Sequence, residues 1–242
     1  MSQRLEGRIC LITGASRGIG AAVARAFAAE GAQLILTART VGGLEEVAEQ
    51  VIKAGGLAPL VVPLDLLKSD GINQLGALIF EKFKRLDVLV ANAATLGVLG
   101  PLAQSDVRKF ERTVALNLTA NYHLIRSMDP LLRASESGAA IFVSSGVART
   151  VMPYWGAYSI SKLAMEQLAQ HYAAETAKTN LKVHIIDPGA VRTNMRAEAF
   201  PGEDAALLPP PEAIADTFVE MAMADNVLPS GGRVRAIPHQ TV

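Results

Sequence analysis

The segment Thr13-Gly14-Ala15-Ser16-Arg17-Gly18-Ile19-Gly20 decides the fold, because it joins the first apolar run, Arg8–Thr13, to a helical pattern, Ile19–Glu30. Glycines permit a tight turn and close approach of a ligand to the backbone, and free N–H groups at a helix start attract a phosphate. No Lys-Ser or Lys-Thr pair follows the last glycine, which excludes the phosphate loop of nucleotide hydrolases. A plain strand-to-helix turn is the alternative, but the position after the first strand favours a dinucleotide-binding loop.

Seven short apolar runs alternate with longer helical patterns along the chain. The runs are uniformly apolar and β-branched in places, which predicts strands that are buried on both faces. They are Arg8–Thr13, Gln33–Ala38, Ala58–Leu64, Leu86–Ala91, Ala139–Ser144, Leu181–Asp187 and Gly232–Ile237. Helical patterns such as Ser161–Lys178 separate them. This alternation predicts an α/β fold of the Rossmann type, a doubly wound, seven-stranded parallel sheet with helices on both faces.

The chain of 242 residues is long for one domain, but doubly wound folds reach this length as a single unit. No repeat, low-complexity tract or linker divides it. The proline cluster Pro209–Pro211 is interpreted as the lead-in to a last helix from about Glu212. Too little sequence follows for a second domain, so residues 1–242 are predicted to form one domain.

The charge balance gives no sign of a nucleic-acid or membrane partner. Lys plus Arg number 23, as do Asp plus Glu, so the net charge is zero. No apolar run is long enough to cross a bilayer, and Met1–Arg8 lacks the apolar core of a signal peptide. We therefore expect a soluble, cytoplasmic protein.

The cysteine and the histidines predict no metal or disulfide chemistry. The single cysteine, Cys10, lies inside an apolar run and is interpreted as a small buried hydrophobic residue. The histidines His123, His171, His184 and His239 are scattered without the spacing of metal ligands, so no metal site is predicted.

The end of the second strand predicts the cofactor. In dinucleotide-binding folds, an acidic residue there holds the ribose 2′-hydroxyl of NAD. Ala38 occupies that place, Arg39 follows it, and Arg17 lies in the glycine loop. Two guanidinium groups without a carboxylate suit a 2′-phosphate, which favours NADP(H). An ordinary solvated arginine is the alternative for Arg39.

A tyrosine and a lysine at helical spacing supply a candidate acid/base pair. Tyr158 and Lys162 are four residues apart and share one helical face, and Ser145 ends the fifth strand thirteen residues earlier. Hydride transfer to a carbonyl needs an acid that protonates the developing alkoxide, and the reverse reaction needs a base. A lysine ammonium and an oxidised nicotinamide should lower the pKa of the tyrosine, and a serine hydroxyl can polarise the carbonyl.

With these groups in place, the sequence resembles the short-chain dehydrogenase/reductase family over essentially its whole length. The resemblance implies an enzyme that acts on the CH–OH group of donors, with Asn117, Ser145, Tyr158 and Lys162 as catalytic residues. Asn117 would hold a water in a proton relay. The implied cofactor-binding residues are Gly14, Ser16, Arg17, Gly18, Ile19, Gly20, Arg39, Asp65, Leu66, Asn92, Ala93, Tyr158, Lys162, Pro188, Gly189, Val191 and Thr193. Asp65 would contact adenine, Asn92 would brace the sheet, and Thr193 would lie near the carboxamide or phosphates.

One position departs from the family pattern. The family's Asn-Asn-Ala-Gly after the fourth strand is replaced by Ala91-Asn92-Ala93-Ala94, so a methyl group stands where the cofactor would pass a glycine. All four catalytic positions are nevertheless filled, which favours an enzyme over a non-catalytic NADP-binding sensor. A sugar-nucleotide epimerase or dehydratase would need a C-terminal substrate domain, which the sequence lacks.

Three segments are expected to form the substrate walls, namely Leu96–Pro101, Gly146–Trp155 and Thr193–Leu208, the last within a substrate loop at about residues 193–211. Leu96, Val98, Leu99, Met152, Tyr154 and Trp155 would make the pocket apolar, and Arg149 and Arg196 could meet an anionic group. Substrate identity and direction of reaction stay open.

Two long helices, Gln104–Arg133 and Ala157–Lys178, are predicted to form a dimer or tetramer surface, because the second carries Leu163, Leu168 and Ala173 on more than one side.

Overall fold

The computed structural model describes residues 3–236, in which one parallel sheet carries helices on both faces. The strands are β1 (Ile9–Thr13), β2 (Gln33–Ala38), β3 (Leu60–Pro63), β4 (Val88–Ala91), β5 (Ala139–Val143), β6 (Lys182–Asp187) and β7 (Arg233–Arg235). They are ordered β3-β2-β1-β4-β5-β6-β7, and each pairs in parallel with its neighbours. The order reverses between β1 and β4, and ligands bind beyond the carboxyl ends of strands at such a point. The predicted fold class is confirmed.

The strands are shorter than several of the predicted runs. β3 and β4 begin two residues later than Ala58–Leu64 and Leu86–Ala91 predict. Leu86 is buried, but its N–H donates to the carbonyl of Leu131 at a helix end, 3.1 Å away, and not to a neighbouring strand. An apolar pattern indicates that residues are buried, but not that they form hydrogen bonds with a neighbouring strand. The predicted strands are therefore longer than the observed ones. The predicted end of the last run, Ile237, lies outside the described residues, as does His239.

The helices are α1 (Gly18–Ala29), α2 (Val41–Lys53), α3 (Ser69–Phe83), α4 (Val107–Val114), α5 (Ala120–Arg133), α6 (Gly156–Glu175), α7 (Asn194–Ala199) and α8 (Ala215–Ala222). A π-helical turn, Ala115–Thr119, joins α4 to α5. The predicted helix start at Gln104 is wrong, because that residue ends a separate 3₁₀ turn. The Asp106 side chain instead accepts from the N–H of Lys109 at 2.9 Å and caps α4.

Two further helix boundaries differ from prediction. The helix predicted to reach Lys178 ends at Glu175, where the Thr176 hydroxyl donates to the Tyr172 carbonyl at 2.7 Å. After the proline cluster, Pro211–Ile214 forms a 3₁₀ turn, and α8 begins only at Ala215. The proline cluster thus leads into a helix as predicted, one turn later.

The core has one apolar layer on each face of the sheet, because alternate residues of each buried strand point to opposite sides. From β1, Cys10 and Ile12 pack with Phe27 of α1 and Phe218 of α8, whereas Leu11 packs on the other face. That second layer holds Leu124, Met128 and Met165 from the helices. Cys10 is completely buried, and burial raises the pKa of its thiol, so it is a structural residue as predicted. Among the described helices, none is both long and apolar enough to span a membrane.

Candidate active site

A cleft of about 690 Å³ opens at the carboxyl ends of the central strands. Most of the predicted site residues lie in its wall. These are Gly14, Ser16, Arg17, Gly18, Ile19, Arg39, Asp65, Leu66, Asn92, Ala93, Ser145, Tyr158, Lys162, Pro188, Val191 and Thr193. Three predicted residues, Gly20, Gly189 and Asn117, do not line the cleft.

The glycine loop packs against the end of β4. Gly14 has a φ of 66°, and a Cβ there would lie 2.9 Å from both the Ala93 Cα and the Asn92 Nδ2. A Cβ on Gly20 would collide with the Gly14 carbonyl. Asn92 donates from Nδ2 to the Thr13 carbonyl at 2.9 Å, and its backbone N–H donates to the Thr13 hydroxyl at 3.0 Å. Gly20 therefore has a packing role, and Asn92 ties the end of β4 to Thr13 at the end of β1, two neighbouring strands of the sheet.

The start of α1 faces the cleft with its backbone donors available. Among the described residues, no side chain caps this helix, and its first turn carries no acidic residue. The first N–H groups of a helix have no intrahelical partner and carry a partial positive charge. The helix start is therefore suited to an anionic group such as a pyrophosphate.

The arginines at the end of β2 and in the glycine loop are free to bind a ligand. Arg17 and Arg39 are exposed and line the cleft, and neither forms an ion pair or side-chain hydrogen bond with any of residues 3–236. Sequence reasoning missed two further arginines that line the cleft, Arg192 and Arg25, of which Arg25 lies one turn after Ala21 on α1. The Arg25 guanidinium donates to Glu212 at 2.5 Å and to Gln50 at 3.0 Å, so its charge is compensated.

Tyr158 and Lys162 lie on successive turns of α6, as their spacing predicts. Both side chains are buried, and the Lys162 Nζ lies 5.8 Å from the centre of the Tyr158 ring. Lys162 also donates to the carbonyl of Val143 at 2.7 Å, which anchors it to the end of β5. Ser145 follows β5, and its side chain lies beside that of Tyr158, whose pKa it lowers. The three groups therefore meet in the cleft.

Burial dominates the acid–base properties of this group. It raises the pKa of Tyr158 to about 12, although the hydrogen bond with Ser145 opposes the rise. It also lowers the pKa of Lys162 to about 8, although the charge of Glu166 opposes that fall. In the protein without a cofactor the pKa of Tyr158 is therefore raised, because loss of solvation outweighs the effect of Ser145, and the lowering expected with an oxidised nicotinamide bound stays a prediction. At neutral pH the phenol is protonated.

Asn117 lies in the π-helical turn and is completely buried. Its Oδ1 accepts from the N–H of Thr95, and its Nδ2 donates to the Thr95 carbonyl, both at 2.9 Å. Nδ2 also donates to the Ser161 hydroxyl at 3.1 Å. Asn117 thus ties the loop after β4 to the catalytic helix, and its role in a proton relay stays a prediction.

Only some of the residues expected to form the substrate walls line the cleft. Leu96 and Trp155 line the cleft, as do Met195 and Ala199 of the third segment. Val98, Leu99, Met152 and Tyr154, which were expected there as well, are not part of the cleft lining. Tyr154 instead has a φ of 74°, and its carbonyl accepts from the N–H of Gly100 at 2.9 Å, which joins the first two segments.

The two arginines expected to meet an anionic substrate are already paired. Arg196 binds Glu203 through two hydrogen bonds of 2.6 Å and stacks over Phe200 at 3.8 Å. Arg149 donates to Glu166 at 2.8 Å. Neither carboxylate partner can be identified from the sequence, because Glu166 lies within a continuous helical pattern and Glu203 within a loop. Both arginines therefore have a carboxylate partner within the protein, and their contact with an anionic substrate stays a prediction.

Comparison with known proteins identifies relatives over the full fold. A family model described as short chain dehydrogenase matches residues 8–204. The uncharacterized oxidoreductase YciK of Escherichia coli strain K12 is 36% identical over 236 residues, which cover 97% of this chain and 93% of that protein.

Solved structures match equally well. A short chain dehydrogenase from Salmonella enterica serovar Typhi superimposes with a TM-score of 0.95 at 35% identity, covering 98% of this chain and 99% of that one. A protein from Escherichia coli CFT073, complexed with NADPH, gives a TM-score of 0.94 at 36% identity, covering 98% and 100% of the two chains.

Proposed function

The chain belongs to the short chain dehydrogenase family and is an oxidoreductase, and we propose that it transfers a hydride between NADP(H) and a carbonyl or secondary alcohol. One observation carries the proposal. A buried tyrosine beside Ser145, with Lys162 one turn away, lies in the same cleft as a glycine loop and an uncapped helix start. That arrangement combines a dinucleotide site with an acid/base group.

The protein groups at one end of the cleft fit NADP(H). The start of α1 can hold the pyrophosphate, and Arg17 and Arg39 can hold the 2′-phosphate, because both guanidinium groups are exposed and lack a described partner. Ala38 places no carboxylate beside the ribose. The NADPH complex of the Escherichia coli CFT073 protein supports this assignment. When bound, NADPH supplies the hydride.

The remaining steps belong to the side chains of this protein. Ser145 donates a hydrogen bond that polarises the substrate carbonyl, and Tyr158 donates its phenolic proton to the developing alkoxide. The high pKa of Tyr158 keeps the phenol protonated at neutral pH, which suits it to act as the acid in carbonyl reduction. The Lys162 ammonium stabilises the phenolate that proton donation leaves. In the reverse direction the phenolate acts as the base.

The substrate side of the cleft favours a neutral, apolar compound. Trp155 lies between the catalytic tyrosine and the substrate loop, with ring centres 6.0 Å from Tyr158 and 5.5 Å from Phe200. The neighbouring Arg196 is neutralised by Glu203. Burial of apolar substrate surface against Trp155 contributes affinity at about 25 cal/mol per Å². A ketone or aldehyde with a hydrophobic substituent therefore fits this wall better than a carboxylate-bearing one.

We also propose a homodimer or homotetramer through the α4–α5 and α6 helices. Ile160 and Leu163 on α6 are about half exposed, as is Tyr122 on α5, and Val107 on α4 is 67% exposed. Exposed apolar side chains on packed neighbouring helices are typical of a subunit interface. Of the residues that suggested this interface, Ala173 is buried in the core and cannot contribute.

The experiment that tests the function is a panel of ketones, aldehydes and alcohols, followed by NADPH absorbance. Turnover of at least one apolar carbonyl or secondary alcohol is expected. A non-catalytic NADP-binding sensor is the competing function, and it would bind NADPH without consuming it against any member of the panel. The filled Ser145, Tyr158 and Lys162 positions favour the enzyme.

A further inference from the structure

A buried carboxylate lies one turn beyond Lys162 on α6. The Glu166 side chain is 2% exposed. Its Oε1 accepts from the Ser144 hydroxyl at 2.6 Å and from the Arg233 Nε at 2.9 Å, and its Oε2 accepts from the Arg149 Nε at 2.8 Å. The residue next to the catalytic serine is thus hydrogen-bonded directly to the helix that carries Tyr158 and Lys162.

Arg233, from β7, extends this contact to the cofactor side of the cleft. Its Nη2 donates to the Asp187 Oδ2 at 2.9 Å and to the carbonyl of Ser145 at 3.3 Å. The Asp187 Oδ1 in turn accepts from the N–H of Gly189 at 3.0 Å. One guanidinium therefore joins the catalytic helix, the catalytic serine and the turn at Pro188–Gly189.

The ion cluster holds two negative and two positive charges, of which the Arg149 side chain is about half exposed. Glu166 and Asp187 are buried carboxylates, and Arg149 and Arg233 are their cationic partners. Burial by itself would raise the pKa of Glu166, but the hydrogen bonds of Ser144 and Arg149 and the charge of Arg233 hold it below its usual value. Glu166 is therefore ionised at neutral pH. Removal of one partner from such a cluster leaves an uncompensated buried charge.

We propose that Glu166 is a positioning residue of the active site, which orients Ser145 and keeps Lys162 charged through the ion cluster that it forms with Arg149, Arg233 and Asp187. This inference rests on the proposed function, since it assigns Glu166 a part in the same reaction. Glu166 touches no reacting atom and acts through its neighbours. Arg149 and Arg233 hold the carboxylate in place, one helical turn beyond Lys162 on α6.

The electrostatics of Lys162 support this role. Burial disfavours its ammonium, and the negative charge of Glu166 opposes burial. Without the negative charge of Glu166, both burial and the positive charges of the two remaining arginines disfavour the Lys162 ammonium, so both lower the pKa of Lys162. We therefore expect the pKa of Lys162 to be lower in a variant that lacks the Glu166 carboxylate.

The test compares wild type with Glu166→Gln between about pH 6 and pH 10, using NADPH and a carbonyl that wild type reduces. We expect the alkaline decline of kcat/KM to move to lower pH by about 0.5 to 1 unit. We also expect kcat to fall more than KM rises, because Ser145 loses its orientation. Glu166→Asp keeps the charge and should restore most of the wild-type pH profile. A folded Glu166→Gln protein with an unmoved alkaline limb would overturn the proposal.

A matched control is Asp87→Asn, another buried carboxylate with arginine, serine and backbone partners, at the opposite end of the strands. It should lower stability without moving the pH profile. If Glu166→Gln does not fold, the double variant Glu166→Gln/Arg149→Gln can replace it, because it removes one negative and one positive charge. It should still move the alkaline decline of kcat/KM to lower pH. A double variant in which the alkaline decline of kcat/KM occurs at the wild-type pH would also contradict the proposal.

A second measurement requires no turnover. The pKa of Lys162 can be followed by NMR of ¹³C-labelled lysine, with the signal assigned from Lys162→Met. Glu166→Gln should shift that titration to lower pH. An unchanged titration would overturn the proposal that Glu166 keeps Lys162 charged. If wild type reduces no carbonyl, the proposed function fails, whereas the NMR titration still decides the role of Glu166.

Discussion

The Lys162 ammonium lies 5.8 Å from the centre of the Tyr158 ring and is anchored to the Val143 carbonyl at 2.7 Å. The helix places these two side chains on successive turns, and the strand end fixes the lysine. Because both groups are buried, the tyrosine keeps its proton and the lysine holds its proton weakly. This pairing determines how activity should depend on pH.

We expect kcat/KM for carbonyl reduction to fall as pH rises through about 8. Burial lowers the pKa of Lys162 to about 8, so the ammonium that stabilises the phenolate is present below this pH and lost above it. Tyr158, with a pKa of about 12, stays protonated throughout this range. A pH–rate profile of kcat/KM with saturating NADPH checks this. An alkaline limb only above about pH 10, the usual lysine value, would show that Lys162 is not destabilised by burial.

Wild type should prefer NADPH to NADH by roughly tenfold to several hundredfold. A charge-assisted hydrogen bond from Arg17 or Arg39 to the 2′-phosphate is worth about 1.5–3 kcal/mol, and about 1.4 kcal/mol is a factor of ten. Ala38→Asp with Arg39→Ala should reverse the preference, since a carboxylate repels the phosphate and accepts from a ribose hydroxyl. Dissociation constants from fluorescence titration provide the measurement.

The control for that experiment is Arg25→Gln. Arg25 lines the same cleft, but it is paired with Glu212, so its loss should leave the preference close to wild type. Equal affinity of wild type for the two cofactors, or tighter binding of NADH, would mean that the arginines do not reach the ribose.

Trp155→Ala should lower kcat/KM for a bulky apolar ketone by about tenfold or more, and for a small ketone much less. The ring offers apolar area beside Tyr158, and burying a large apolar side chain is worth about 1.5–3 kcal/mol. Tyr154→Ala is the matched control, because Tyr154 is exposed and outside the cleft lining. Steady-state kinetics with a homologous series of ketones would decide, and equal losses across the series would exclude Trp155 from the substrate wall.

Light scattering at micromolar concentration should give the mass of a dimer or tetramer. Leu163→Glu places a charge on the exposed apolar part of α6 and should shift the protein toward monomer. Val227→Glu changes a residue that is 93% exposed and outside these helices, so it should leave the mass unchanged. A monomeric wild type would contradict the proposed interface.

The sequence predicted the fold because β1, β2 and β5 are uniformly apolar and the glycine loop has few structural alternatives. It also predicted that Tyr158, Lys162 and Ser145 converge, since helical spacing and the rule for strand ends are local properties. It could not predict the pairs Arg149–Glu166 and Arg233–Glu166, because Arg149 follows β5 and Arg233 lies on β7, and only the complete fold brings both to Glu166 on α6. The rise in the tyrosine pKa was missed for a related reason, since burial depends on the complete fold.

The measurement that tests the central claim most directly is turnover by Tyr158→Phe, with NADPH binding determined on the same protein. The substitution removes only the phenolic hydroxyl, so the proton donor is lost while the glycine loop, Arg17, Arg39 and Lys162 are unchanged. We predict loss of nearly all turnover, with the dissociation constant for NADPH close to that of wild type. Retention of more than a few per cent of wild-type activity by a folded Tyr158→Phe protein would contradict the account, because the acid/base would then have to be another group.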